Sequence, residues 1–221
     1  MKSTYFTAKT IQAKSGKMLE RIATTIFIRP VPNIPHDCAL LVLDMQDYFL
    51  SPDSQAYIPS APAIIPGINR LINLFGAASQ PVIFTRHLNT LENAGPMKHW
   101  WRNMIMENNP RSRITSALNR VTGTILIKSQ YDAFHQTELN TLLKRRNVSR
   151  VIITGVMTHL CCESTARSAF MRGYEVVFTI DGTATYNEQF HYGTLLNLAH
   201  GFATPVLIDQ IIDQQTKNEA D

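Results

Sequence analysis

Residues 151 to 156 read Val151-Ile152-Ile153-Thr154-Gly155-Val156, a run that is apolar and β-branched almost throughout. Such a run is typical of a strand buried on both faces, as in a parallel sheet covered by helices. An amphipathic stretch over residues 160–172 follows it and ends before Gly173, a good helix C-terminal cap. This part of the chain therefore predicts a strand followed by a helix.

The same alternation recurs along the chain. Further short apolar runs predict strands over residues 39–43, 81–85, 124–127, 175–180 and 204–208. Helical periodicity predicts helices over residues 63–75, 137–146 and 188–200. Strands that alternate with helices, joined by right-handed crossovers, indicate a doubly wound α/β domain.

Two segments lie outside this alternation. Residues 1–36 are weakly periodic and end in a proline-rich stretch, and we expect an N-terminal arm packed on the surface or on a second subunit. Residues 86–120 form a long connection that contains Trp100 and Trp101, and such an insertion is either a lid or an oligomer contact. Residues 37–221 are then one domain.

The composition restricts the class of protein. The 221 residues are 44% hydrophobic and 17% charged, and the scattered basic residues give a net charge of only +4, so we expect no nucleic-acid partner. We also expect no membrane partner, because no apolar run reaches the ~20 residues that span a bilayer. The three cysteines, Cys38, Cys161 and Cys162, are odd in number and form no metal-binding spacing. The sequence shows no signal-peptide pattern and no disulfide framework, so we expect a cytoplasmic protein.

Three polar side chains follow predicted strands. Asp44 ends the first run, Lys128 ends the third, and Cys161 lies just beyond the fourth. Taken singly, each has an ordinary explanation as a turn residue, a solvated lysine or a packed thiol. Because open α/β sheets bind ligands at the carboxyl ends of their strands, the three are expected to converge in one crevice.

The chemistry of such a trio is coherent. A cysteine at a helix N-terminus near an ammonium is expected to favour its thiolate. A carboxylate within reach can accept the thiol proton and return it to a leaving amine, and Lys128 would keep Asp44 ionised. This is what attack on an amide-like carbon requires.

Three motifs resemble the signatures of the isochorismatase-like cysteine hydrolases. They begin at Leu43-Asp44-Met45-Gln46-Asp47-Tyr48-Phe49, at Lys128-Ser129-Gln130-Tyr131-Asp132-Ala133-Phe134 and at Thr154-Gly155-Val156-Met157-Thr158-His159-Leu160-Cys161-Cys162. The resemblance runs from about residue 37 to about residue 209. It implies a three-layer α/β/α fold with a six-stranded parallel sheet and a catalytic triad of Asp44, Lys128 and Cys161. It also implies an oxyanion hole from the backbone N–H groups of Met157 and Cys161, with a cis peptide at Val156–Met157.

The resemblance leaves the reaction open between two branches. Amidases of this superfamily use the cysteine as nucleophile and form a thioester, and Cys161 favours that reading. Isochorismatases hydrolyse a vinyl ether with the aspartate as general acid, and the residues around Asp44, Tyr131 and His159 look closer to them. A third alternative is a non-catalytic binding or assembly module.

Further residues are candidates for binding a small-molecule substrate. They are Gln46, Phe49, Arg86, His87, Trp100, Tyr131 and His159. Phe49 has core packing as its alternative, Arg86 a surface ion pair, Trp100 an interface contact and His159 a structural hydrogen bond. The Asp-x-His metal cluster of nicotinamidases is not matched around His87, so we expect no metal and no cofactor. The family resemblance implies a homodimer or homotetramer.

Overall fold

Six parallel strands form the centre of the structure, a computed structural model that describes residues 1–31, 37–120 and 123–218, with side chains to residue 213. The strands are β1 (Cys38–Leu43), β2 (Val82–His87), β3 (Thr124–Lys128), β4 (Arg150–Val156), β5 (Glu175–Ala184) and β6 (Thr204–Val206). Their order in the sheet is β3-β2-β1-β4-β5-β6. The chain therefore proceeds outward from β1 in one direction and from β4 in the other, which is the doubly wound arrangement expected from the sequence.

Helices flank this sheet. They are α1 (Ile11–Thr25), α2 (Asp47–Leu50), α3 (Ala61–Ala77), α4 (Met97–Trp100), α5 (Leu139–Arg145), α6 (Glu163–Met171), α7 (Glu188–Gly201) and α8 (Ile208–Asn218). A 3₁₀ turn occupies Pro110–Ser112, and one turn of π-helix occupies Thr158–Cys162 at the start of α6. Within the described residues, no helix is both long and apolar enough to cross a bilayer.

The predicted fold class is confirmed, and the strand bounds differ from the predicted ones by one to four residues. β5 continues four residues beyond the predicted end at residue 180, and β6 stops at Val206, before the predicted end at residue 208. Ile208 instead begins α8, where its backbone N–H donates to Asp181 Oδ1 at 2.9 Å. A side-chain cap of this kind ends a strand in favour of a helix, and apolar periodicity does not reveal it.

The N-terminal segment packs on its own domain. Tyr5, Phe6 and Ile22 are buried in the main core, and α1 lies against β5 and α7. The expected arm is therefore an additional layer of this subunit over residues 1–31. The part of that expectation that concerns residues 32–36 lies outside the described residues.

The two central strands approach each other closely at their carboxyl ends. Gly155 of β4 pairs with Leu43 of β1, and its φ of +105° lies in the region that favours glycine. A Cβ at Gly155 would lie 2.1 Å from the carbonyl oxygen of Leu43. This contact fixes the spacing between β1 and β4 at the point where the strand order reverses, which is where a ligand site is expected.

Candidate functional site

Asp44 lies directly after β1 and is held from two directions. Its φ of +50° is unusual for a residue other than glycine, although aspartate tolerates it better than most. The Thr85 hydroxyl accepts a hydrogen bond from the Asp44 N–H at 3.0 Å and donates one to Asp44 Oδ1 at 2.6 Å. This reciprocal pair leaves Oδ2 facing the neighbouring lysine.

Lys128 ends the edge strand β3, two strands away from β1. Strands lie about 4.8 Å apart, so only a long side chain reaches from β3 past β2 to the end of β1. The ammonium forms an ion pair with Asp44 Oδ2 at 2.7 Å, and both side chains are fully buried. It also donates to the Gln130 carbonyl oxygen at 2.8 Å and lies 3.3 Å from Cys161 Sγ.

His87 ends β2 between these two strands and is neutral. Asn89 donates its amide N–H to the Ser129 carbonyl, so its Oδ1 faces His87 Nε2 at 3.0 Å. His87 Nε2 therefore carries the ring proton, and Nδ1 accepts from the Lys128 ammonium at 3.2 Å. Burial, followed by the charge of Lys128, lowers the pKa of His87 to about 4. The imidazole thus orients the ammonium without adding charge.

Cys161 lies in the π-helical turn that follows β4. The peptide bond Val156–Met157 is cis, as the family resemblance implies, and the turn begins directly after it at Thr158. The backbone N–H of Cys161 belongs to this turn, and Met157 is the residue directly before it. Cys161 is 6% exposed, and it borders a cavity that is described below. The oxyanion-hole role of the two N–H groups stays a prediction.

The protonation states of the trio follow from burial and from their mutual charges. Burial opposes ionisation of Asp44, but the charge of Lys128 prevails and the pKa of the carboxyl is lowered. Burial also acts against the ammonium, and Asp44 prevails there too, so the pKa of Lys128 is raised. Burial raises the pKa of the Cys161 thiol, Asp44 raises it further, and Lys128 offsets only part of this. The resting state is carboxylate, ammonium and neutral thiol.

The expectation of a favoured thiolate at Cys161 is therefore wrong. That expectation considered the helix end and the ammonium, and it left out burial, which is the largest influence on this thiol. The thiol needs a base, and a carboxylate oxygen of Asp44 lies within 4.8 Å of Sγ. The arrangement can deliver a thiolate when a substrate is in place.

Asp44, His87 and Cys161 also offer a set of metal-ligand atoms. One ligand atom from each lies within 4.8 Å of the other two, and a carboxylate, an imidazole and a thiolate suit Zn²⁺. The Lys128 ammonium, however, already lies within 3.3 Å of an atom of each of the three residues. The Lys128 ammonium therefore already supplies the positive charge next to the ligand atoms of Asp44, His87 and Cys161.

A cavity of about 310 Å³ opens above Cys161. Its walls are largely aromatic and aliphatic, as is usual for sites that bind small molecules. The lining residues are Tyr48, Phe49, Gln55, Ala56, His87, Asn89, Met97, Trp101, Arg102, Asn103, Met104, Ile105, Tyr131, Met157, Leu160, Cys161 and Tyr186. The connection that follows β2 supplies many of them, so this long segment forms one wall of the cavity.

The structure brings some of the expected substrate-binding residues to this cavity. Phe49, His87 and Tyr131 line it. Tyr131 accepts a hydrogen bond at 2.7 Å from the indole N–H of Trp101, which joins the wall after β2 to the loop after β3. Trp101, and not Trp100, is the tryptophan at the site, because Trp100 is 77% exposed at the end of α4.

Gln46, Arg86 and His159 do not line the cavity, because other groups occupy their polar atoms. Gln46 is fully buried and exchanges hydrogen bonds with the His87 backbone. The Arg86 guanidinium binds Ser112 and the carboxylate of Glu107. His159 is bonded to the Thr185 hydroxyl at 2.6 Å and stacks on Phe190. Their roles in this structure are to hold loops and helices in place.

Several cavity residues were not expected from the sequence. Asn89, Tyr48, Leu160 and Tyr186 line the cavity, and Asn89 also fixes the tautomer of His87. A signal existed for Tyr48 and Leu160, which lie within the quoted motifs. Tyr186 follows β5 and lies outside the quoted motifs.

Comparisons with known proteins agree with this geometry. A family model described as the isochorismatase domain matches residues 38–210. Nicotinamidase 3 of Arabidopsis thaliana is 40% identical over 178 residues, which are 78% of this chain and 86% of that protein. Enterobactin synthase component B of Escherichia coli (strain K12) is 28% identical over 181 residues; the match covers 80% of this chain but only 63% of that relative. A solved cysteine hydrolase from Pseudomonas syringae pv. phaseolicola 1448A has a TM-score of 0.82 at 26% identity, covering 87% of this chain and 99% of that one.

Proposed function

Because the chain belongs to the isochorismatase family of hydrolases, we propose that it cleaves the C–N bond of a small planar amide or ureido compound. The observation that carries the proposal is the position of the Cys161 thiol at the cavity, 3.3 Å from Lys128 Nζ and within 4.8 Å of a carboxylate oxygen of Asp44. A nucleophile, a base and a fixed cation thus meet where a substrate has room to bind.

The proposed reaction has two halves. Asp44 takes the thiol proton as Sγ attacks the carbonyl carbon, and the N–H groups of Met157 and Cys161 stabilise the oxyanion. Asp44 then returns the proton to the leaving nitrogen, the C–N bond breaks, and ammonia or an amine departs. A water molecule, deprotonated by Asp44, attacks the thioester carbon; the C–S bond breaks, the acid is released, and Asp44 returns the proton to the Cys161 sulfur. Lys128 remains an ammonium throughout.

The cavity supports a planar, largely apolar substrate. Phe49, Trp101 and Leu160 supply apolar surface, and Gln55 and Asn89 are among the polar residues that line it. An aromatic carboxamide of the size of nicotinamide fits a space of about 310 Å³. The name of the Arabidopsis relative points to the same class of substrate.

A Cys161→Ala variant tests the nucleophile. Release of ammonia is measured from a panel of aromatic carboxamides and ureido acids, with Cys162→Ala as the control because Cys162 is the adjacent buried thiol. We expect Cys161→Ala to lose roughly 10³-fold or more in kcat and Cys162→Ala to stay within a few fold. A wild-type thioester on Cys161, seen by mass spectrometry after an acid quench, would be the matching direct evidence.

The same variant separates the alternative reactions. Vinyl-ether hydrolysis uses Asp44 as general acid and needs no thiol, so turnover of isochorismate that survives Cys161→Ala would replace the amidase proposal. Wild-type protein that turns over neither isochorismate nor any of the amides would favour a binding or assembly role.

We further propose a cytoplasmic homodimer or homotetramer. All three cysteines are free and buried, which suits a reducing compartment. The edge strand β3 exposes Ile125 and Ile127, an apolar pair that suits a contact with a second subunit. Light scattering coupled to gel filtration measures the mass, and a monomer at micromolar concentration would contradict the oligomer.

A further inference from the structure

Residues 1–7, the first part of the N-terminal segment, reach the turn that carries the nucleophile. The Tyr5 phenol oxygen accepts a hydrogen bond from the Thr185 N–H at 2.9 Å, so its own proton is free for His191 Nδ1 at 3.1 Å. The same His191 nitrogen lies 3.0 Å from the Thr158 hydroxyl. Tyr5, in the layer outside the sheet, is thus linked through one imidazole to the first residue of the π-helical turn.

This link lies in a dry part of the molecule. Tyr5 is 3% exposed, and Thr158 and His191 are fully buried. Burial lowers the pKa of His191 to about 3, so the imidazole stays neutral at physiological pH. Hydrogen bonds in such surroundings are strong, and the loss of one partner leaves the others without compensation from water.

The segment also supports the wall of the cavity. The Ser3 N–H donates to the Tyr186 carbonyl at 2.8 Å, and the Lys2 ammonium lies 4.5 Å above the Tyr186 ring while it binds the Gln55 carbonyl. Both Tyr186 and Gln55 line the cavity. The segment itself is anchored by the Ser60 hydroxyl, which accepts from the backbone N–H groups of Tyr5 and Phe6 at 2.9 and 3.0 Å.

We infer that Tyr5 is a positioning residue for the reaction at Cys161, acting through His191 and Thr158 on the turn that carries the thiol and the oxyanion-hole N–H groups. Thr158 follows Met157 directly and precedes Cys161 by one helical turn, so its displacement moves both groups that must face the substrate carbonyl. Tyr5 lies outside residues 38–210, the range that the family model matches. The inference rests on the proposed function of Cys161.

Tyr5→Phe tests this role because it removes only the hydroxyl. Tyr174→Phe is the control: Tyr174 lies in the segment between α6 and β5, and its hydroxyl donates a partly buried hydrogen bond to Asn140 at 2.9 Å. With nicotinamide as the probe, we expect Tyr5→Phe to lower kcat about 3- to 10-fold with KM changed less than twofold. Tyr174→Phe is expected to retain the wild-type kcat. Equal kcat values for Tyr5→Phe and Tyr174→Phe would overturn the inference.

A double-variant cycle separates positioning from general loss of stability. Thr158→Ser keeps a hydroxyl and is expected to retain kcat, whereas Thr158→Val is expected to lose it as Tyr5→Phe does. If the two act through one link, Tyr5→Phe combined with Thr158→Val loses no more than the worse single variant. Losses that multiply would show independent effects and contradict the link.

Amide hydrogen exchange tests the link without any substrate. We expect Tyr5→Phe to accelerate exchange in residues 157–162 at least about threefold, and Tyr174→Phe to leave it unchanged. Unchanged exchange in Tyr5→Phe would overturn the inference on its own. Failure of the proposed function looks different, because Cys161→Ala would then keep the wild-type activity whatever Tyr5 does.

Discussion

Replacing Lys128 with methionine removes the charge that keeps Asp44 ionised inside the protein. The two groups form an ion pair at 2.7 Å with both side chains fully buried, so water does not replace the missing ammonium. Breaking a buried pair from one side costs about 3–5 kcal/mol, a large part of the 5–15 kcal/mol typical of a folded domain. We expect Lys128→Met to be destabilised by that amount at pH 8, and to be inactive.

The pH dependence gives the sharper test. In the wild type the pKa of Asp44 is lowered, so its contribution to stability is present above its unfolded pKa of about 3.9 and is lost as the pH falls through the folded pKa. The raised pKa of Lys128 acts at the other end, where stability is lost as the pH rises through it, above about 10.4. Between pH 5 and pH 8 neither group makes the wild-type stability depend on pH.

In Lys128→Met the shift in the pKa of Asp44 has the opposite direction. Burial without a partner raises the pKa of the carboxyl above its unfolded value, so the native state holds a proton that the unfolded chain has lost. Relative to the wild type, the stability of the variant then falls as the pH rises from 5 to 8. Urea unfolding followed by circular dichroism at both pH values measures the slope, with Lys144→Met, an exposed lysine of α5, as the control.

Two results would refute this reasoning. One is a Lys128→Met protein within about 1 kcal/mol of the wild type at pH 8. The other is a difference in stability from the wild type that does not change between pH 5 and pH 8. A second variant distinguishes the loss of charge from a change in packing. Asp44→Asn added to Lys128→Met removes both charges and is expected to recover much of the lost free energy of unfolding.

Three further predictions concern separate parts of the structure. Gly155→Ala places a Cβ 2.1 Å from a backbone oxygen and is expected to lower the free energy of unfolding by at least about 2 kcal/mol, measured by urea unfolding. Gly173 also has a positive φ but has open space around it, so Gly173→Ala should cost only about 1 kcal/mol. Burial raises the pKa of Asp181 to about 6, so the contribution of this carboxyl to stability should fall by roughly 2 kcal/mol from pH 4 to pH 6. In urea unfolding Asp181→Asn should therefore gain that amount relative to the wild type over the same interval. Trp101→Phe removes the 2.7 Å hydrogen bond to Tyr131 and is expected to raise KM about 3- to 10-fold with kcat nearly unchanged; steady-state kinetics with an unchanged KM would contradict a role for this contact in shaping the cavity.

The sheet and the convergence of Asp44, Lys128 and Cys161 could be predicted, because strand positions and the polar residues that follow the strands are visible in the local sequence pattern. Buried parallel strands have to be apolar throughout, so their positions are visible in the sequence, and the polar residue after each strand marks the sheet edge. Asp44, Lys128 and Cys161 were recognisable for this reason. The helix over residues 11–25 was missed because its buried face is defined by β5 and α7, which lie more than 150 residues later.

The details of the site depend on what surrounds each group. Trp100 and Trp101 are indistinguishable in the sequence, and only the path of the loop decides which one faces the cavity. Arg86 and Gln46 carry suitable chemistry for ligand binding, but loop carbonyls and a glutamate occupy them. The protonation of Cys161 depends chiefly on burial, which no spacing of charged residues reveals.

The contact between Tyr5 and His191 has a consequence for the order in which the protein matures. It joins positions 186 residues apart, and His191 is synthesised after every residue of the turn at 158–162. During synthesis the nucleophile turn at residues 158–162 therefore exists before α7 arrives to connect it to the N-terminal layer. Contacts of such high sequence separation form late, since a long loop has to close first. A nascent chain that contains only β1 to β4 thus lacks the contact between Tyr5 and α7, which forms once His191 has been synthesised.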